Sequence, residues 1–60
     1  MQQYLHNLMN SGKQFSLFFV NGYKGRYVLL DFDDDTLLVK DPNGKQMIIY
    51  LHAVTTIELG

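Results

Sequence analysis

The sequence predicts a mainly β fold, in which a short N-terminal α-helix precedes five antiparallel strands that curl into a small barrel. Three observations carry this. Apolar residues at helical spacing are confined to residues 2–10, period-two alternation begins at Phe15, and turn signals divide the remainder at short intervals.

Leu5, Leu8 and Met9 fall at i, i+3 and i+4, and Met1 extends the same stripe. Gly12 is placed to end the helix, because glycine accepts the left-handed conformation at a helix C-terminus. So short a helix is unstable alone and must pack its apolar face on something. Phe15, Leu17 and Phe19 then alternate with Ser16, Phe18 and Val20, which makes residues 15–20 a strand with Phe18 on its outer face. Asn21-Gly22 is the favoured two-residue hairpin turn, since both residues tolerate positive φ. The next strand, Tyr23 to Phe32, is long and contains Gly25, where a bulge or bend is expected. Asp33-Asp34-Asp35 turns the chain into a strand at Thr36–Lys40. Asp41-Pro42-Asn43-Gly44 reverses it again, proline presetting φ and Asn-Gly closing the turn. Strands at Gln46–Tyr50 and Val54–Leu59 complete the set.

Sixty residues hold one domain at most, spanning 1–60 here. A chain of this length buries only about 60% of its unfolded surface, so its own core is marginal. With no cysteine there is no disulfide, and two histidines alone cannot make a structural zinc site. Small scaffolds without such staples gain stability by oligomerising. The composition, 47% hydrophobic and 18% charged, is that of a globular chain. No apolar run approaches a membrane span, and Met1-Gln2-Gln3-Tyr4 lacks a secretory start. A soluble cytoplasmic protein with no cofactor and no membrane partner is the expectation. A net charge of −1 argues mildly against strong generic nucleic-acid binding, yet leaves room for a local basic patch with base stacking.

Two stretches carry a resemblance: Phe18-Phe19-Val20-Asn21-Gly22-Tyr23-Lys24 and Tyr50-Leu51-His52-Ala53-Val54-Thr55-Thr56. Their order and spacing resemble Hfq, the bacterial Sm-like RNA chaperone family, with its "VNG-x-K" hairpin and "YKHAIST" segment. Tyr4-Leu5, Phe32-Asp33 and Gly44-Lys45-Gln46 extend the likeness along essentially the whole chain. The alternative is an unrelated five-stranded barrel of SH3 type. The resemblance implies an Sm-like barrel, a homohexameric ring closed by edge-strand pairing, and a role in post-transcriptional regulation. It also implies two RNA faces, one for U-rich ends at the pore and one for A-rich stretches opposite.

On the pore face the resemblance implies loss. Asp35 stands where the family stacks an aromatic on uracil, Asp34 replaces a glutamine and Leu51 replaces a lysine. Only His52 remains, either as a doubtful RNA contact or as a residue satisfying a turn. Asp33, Asp34 and Asp35 read either as a solvated turn, with Asp33 structural, or as weak oxygen ligands for a cation; no metal site is assigned.

The opposite face keeps more. Phe18 matches the family's adenine-stacking aromatic, and Gly22, Tyr23, Lys24 and Arg26 follow in the segment that lines that site, with Thr56 contributing as well. Gly25 stands in place of a larger apolar residue, Tyr27 in place of a glycine, and Met47 in place of a glutamine. The bland reading of Phe18 and Tyr23 is cross-strand packing around the hairpin.

Three functions remain open: an RNA chaperone binding A-rich single strands, an acidic interaction ring with weak or no RNA binding, and a paralogue that fails to assemble. Catalysis is not expected, because the chain has no cysteine nucleophile, no phosphate loop and no defensible Ser-His-Asp arrangement.

Overall fold

The computed structural model describes residues 2–59. Helix α1 spans Gln2–Ser11, and the strands are β1 (Gln14–Phe19), β2 (Lys24–Phe32), β3 (Thr36–Lys40), β4 (Gln46–Tyr50) and β5 (Val54–Leu59). A single 3-10 turn, Leu51–Ala53, links β4 to β5. The last three strands have the expected bounds. β1 lies one residue earlier than its alternation suggested, and β2 starts at Lys24 instead of Tyr23.

α1 buries Leu5 and Leu8 and half-buries Met9; Met1, expected on the same stripe, lies outside the described residues. The His6 ring meets the Phe32 ring edge-on, centroids 5.0 Å apart. Gly12 has φ +67°, and Ser11 completes the terminus. Its hydroxyl donates to the Leu8 carbonyl at 2.8 Å and accepts the Lys13 N–H at 3.1 Å.

The strands form one antiparallel sheet in the order β4-β3-β2-β1-β5. β2 serves two partners in turn. Lys24–Val28 pair with β1, and Val28–Phe32 pair with β3, so the strand bends at Val28 to roll the sheet onto itself. The irregularity in β2 falls between Leu29 and Asp31. At Gly25, where a bulge or bend is expected, the strand pairs regularly with Leu17, and the irregularity lies further along. The role of Gly25 is steric: a Cβ there would strike the ring of Tyr27, two residues on and on the same face.

The Asn21-Gly22 turn also differs from expectation. The loop has three residues, closed by Phe19 N–H donating to Tyr23 O at 2.8 Å and Gly22 N–H to Phe19 O at 2.9 Å. Only Gly22 has positive φ (+88°), while the Asn21 side chain accepts the Tyr23 N–H at 3.0 Å. A three-residue loop ending in a left-handed residue is the next most common hairpin connection after the two-residue turns. Asp41–Lys45 repeats the pattern: Asp41 N–H donates to Lys45 O, Gly44 N–H donates to Asp41 O, and Gly44 has φ +86°.

Phe15, Leu17, Leu29, Leu37 and Val39 are almost wholly excluded from water and are joined by Leu5, Leu8, Tyr27 and Ile49. Each such side chain is worth about 1.5–3 kcal/mol of transfer free energy. Phe19, assigned to the core face, is only partly buried against this cluster. β4 and β5 are the two sheet edges, and Ile48, Tyr50 and Leu59 on them are more than half exposed.

Candidate nucleic-acid interface

In the sheet β1 lies between β2 and β5, and this places three of the predicted residues in one row. Phe18 of β1 is paired with Lys24 of β2 on one side and Thr56 of β5 on the other. The next row on the same face holds Arg26, Ser16 and Glu58. Phe18 is half-buried, not a fully open platform, and the Lys24 ammonium lies 5.0 Å from its ring centroid. Lys24 Nζ is also 3.8 Å from Glu58 Oε1. Arg26 and Thr56 are exposed beside them. Thr55 is the extra residue of a bulge in β5, and its hydroxyl donates to the Phe18 carbonyl at 3.2 Å, fixing that stretch of β1.

These contacts set the energy scale for a ligand. The exposed cation–π contact is worth about 0.5–1 kcal/mol, and the solvent-exposed Lys24–Glu58 pair about 0–1 kcal/mol. A nucleobase stacked on an aromatic ring gains about 1–3 kcal/mol. A base can therefore displace the ammonium, which is then free to meet a phosphate.

The remaining predicted residues divide. Gly22 stands at the hairpin tip, exposed and left-handed. Tyr23 faces away from Phe18. Its ring is tilted against Phe19 at 5.9 Å, and Phe19 in turn is edge-on to Tyr27 at 6.4 Å. The second ring predicted beside Phe18 thus belongs to a separate aromatic group on the inner side of the hairpin. Sequence reasoning did not single out Glu58 and Lys45. Glu58 is betrayed by its place two residues beyond Thr56, hence on the same strand face. Lys45 has no such signal, because only the folding of one hairpin beside another brings it near Arg26.

At the opposite end, the structure brings together the residues of the doubtful site. The Leu51 N–H donates to the Asp35 carbonyl at 2.8 Å, tying the 3-10 turn to the acidic turn. Leu51 is partly buried against the core. His52 is exposed and stacks on Tyr50, with centroids 5.7 Å apart. Asp33 accepts the N–H groups of Asp35 (2.9 Å) and Thr36 (2.7 Å) and the Thr36 hydroxyl (2.9 Å). The Asp35 and Thr36 N–H bonds, then the hydroxyl, hold its carboxyl below the usual aspartate range. Its oxygen is thereby committed to the turn. Among the described residues no group of three or more His, Asp or Glu side chains is arranged to hold a metal ion.

Comparison with known proteins bears on the family and the fold. The model of the Hfq protein family matches residues 1–59. The RNA-binding protein Hfq of Geobacillus sp. (strain WCH70) is 39% identical over 54 residues, covering 90% of this chain and 72% of the relative. That of Natranaerobius thermophilus is 52% identical over 42 residues, covering 70% of this chain and 49% of the relative. A crystal structure of "the pleiotropic translational regulator, Hfq" superposes with a TM-score of 0.91 at 28% identity, covering 97% of this chain and 95% of that one. From the hairpin to the C-terminal strand, by sequence and by fold, this chain belongs to the Hfq family of RNA-binding proteins, which are not enzymes.

Proposed function

We propose that this chain is a post-transcriptional RNA chaperone that binds A-rich single-stranded RNA on the face carrying Phe18, Lys24, Arg26 and Thr56, and binds U-rich RNA poorly. The single observation that carries the reading is the row Thr56–Phe18–Lys24, in which an aromatic ring, a cation and a hydroxyl meet across three paired strands. Stacking platforms flanked by phosphate-binding cations are the common solution to single-strand binding. Gly22 contributes the close approach of the hairpin backbone, and Tyr23 the rim. At the other end Asp34 and Asp35 are exposed, Leu51 is packed inward, and His52 is covered on one face by Tyr50. Carboxylates there repel phosphate and offer no ring for a base.

The working form is a homohexameric ring in the cytoplasm. The edges β4 and β5 and their exposed Ile48, Tyr50 and Leu59 support assembly, because unpaired edges are stabilised by pairing with another strand, and a cyclic arrangement leaves none free. An apolar cavity of about 460 Å³ beside β5, lined by Tyr4, Leu51 and Val54 among others, gives a neighbour somewhere to seat.

The test is the affinity of the wild type and of Phe18→Ala for a labelled oligoadenylate, with the oligomeric state followed in parallel. The variant should bind at least tenfold more weakly while its assembly is unchanged. Equal affinity for the two proteins would remove Phe18 from the interface and overturn the reading.

A further inference from the structure

Gly25 and Tyr27 form one structural feature. Tyr27 lies on the same face of β2 as Gly25, and its ring covers the space that a side chain at 25 would take. The ring is anchored edge-on to Phe19 and is almost wholly buried. Its hydroxyl therefore ends in the groove between the β1–β2 and β3–β4 hairpins, in the space a side chain at 25 would take. That groove has a volume of about 500 Å³, and Lys24, Arg26 and Lys45 line it together with Tyr23 and Asp41. The basic residues of this chain number five, so most of its positive charge gathers around one small space.

Among the described residues the Tyr27 hydroxyl has no hydrogen-bond partner, and no buried side-chain polar atom is left unsatisfied. The hydroxyl is thus wet in the free protein and available to a ligand. Burial first, then the neighbouring Tyr23 and Asp41, raise its pKa above the ordinary phenol value, which keeps the proton on. It can donate and accept.

We propose that Tyr27 is a specificity-determining residue for single-stranded RNA, its hydroxyl hydrogen-bonding the base edge of a nucleotide seated in this groove while Lys24, Arg26 and Lys45 hold the flanking phosphates. The proposal rests on the RNA-binding reading and adds a second contact to the Phe18 stack. A ring face accepts every base, whereas a hydroxyl at a fixed point accepts only those presenting a partner there. Tyr27 then adds to the discrimination among bases, while Phe18 and the cations supply the affinity common to all.

The experiment compares wild type, Tyr27→Phe and Phe18→Ala for binding to labelled oligoadenylate and oligouridylate, with thermal unfolding measured on each. Tyr27→Phe keeps the ring and hence the packing over Gly25. It should lose roughly fivefold in oligoadenylate affinity, the yield of one net hydrogen bond, with little change in oligouridylate affinity or unfolding temperature. Phe18→Ala should weaken both ligands. An unchanged A-to-U ratio in Tyr27→Phe, with Phe18→Ala still impaired, would overturn the role of Tyr27 and leave the interface standing. A wild type that binds neither oligomer would overturn both.

Discussion

Gly25 is required by its neighbour, and this can be tested quantitatively. A Cβ at position 25 would lie 2.5 Å from Tyr27 Cζ and 2.6 Å from Cε2, and would collide with the hydroxyl as well. Carbon atoms in contact sit about 3.5–4.0 Å apart, so the overlap is about 1 Å against a ring that is only 7% exposed and braced by Phe19. Forcing such a ring aside costs about 1–3 kcal/mol. Gly25 has no positive φ, so without Tyr27 the same change would stabilise the chain by about 0.4–1 kcal/mol through the unfolded state. Gly25→Ala should therefore be destabilising in the wild type and neutral or stabilising in a Tyr27→Leu background, where a buried apolar side chain remains but does not reach position 25. The expected coupling is about 1.5–4 kcal/mol. Urea unfolding of the four proteins of the cycle, at one protein concentration to hold assembly constant, gives the number. A cost for Gly25→Ala that is the same in both backgrounds would refute the steric account.

Leu37 is fully buried in β3, and Leu37→Ala should lower stability by about 2–5 kcal/mol through lost transfer energy and the residual cavity, read by urea unfolding. Asp33 has a depressed folded pKa, so its contribution to stability is present above the ordinary aspartate value of 3.8 and is lost as pH falls through the lower folded value. A carboxyl ¹³C titration should place the Asp33 midpoint below the ordinary aspartate value of 3.8, and a midpoint above that value would contradict the hydrogen-bonded turn. Lys24→Ala should reduce the slope of log affinity against log salt by about 1 for a lost phosphate contact; an unchanged slope would mean that the ammonium stays on Phe18 or Glu58. Oligouridylate should bind at least tenfold more weakly than oligoadenylate, and tight oligouridylate binding abolished by His52→Ala would restore the acidic end as an RNA site.

Much of the architecture is legible because turn chemistry is local. Asp41-Pro42-Asn43-Gly44 and the aspartate run bound β3 and β4 without reference to the rest of the chain, and the observed strands start and stop where those signals place them. Asn21-Gly22 was harder, since the same dipeptide serves a two-residue turn with both residues left-handed or a three-residue loop with glycine alone. The difference lies in whether the Asn21 side chain caps the Tyr23 N–H, as it does. Gly25 was misread because a strand glycine signals either a bend or a close approach. The cue that decides between them is Tyr27 at i+2, where the same-face ring occupies the vacancy. On the candidate interface, alternation places Phe18 on the outer face, but its pairing with Lys24 depends on the three-residue loop, since a two-residue turn would set Phe18 opposite Gly25. The placement of Tyr23 against Phe19 and of Lys45 beside Arg26 depends on how the sheet rolls, which residue order alone does not encode.

Native mass spectrometry of the intact protein mixed with a short A-rich RNA tests the proposed function most directly, because it reads assembly and binding in one spectrum. The expected species is a hexamer carrying RNA, lost as a complex but retained as a ring in Phe18→Ala. A bare ring with excess RNA, or a lone monomer, would contradict it.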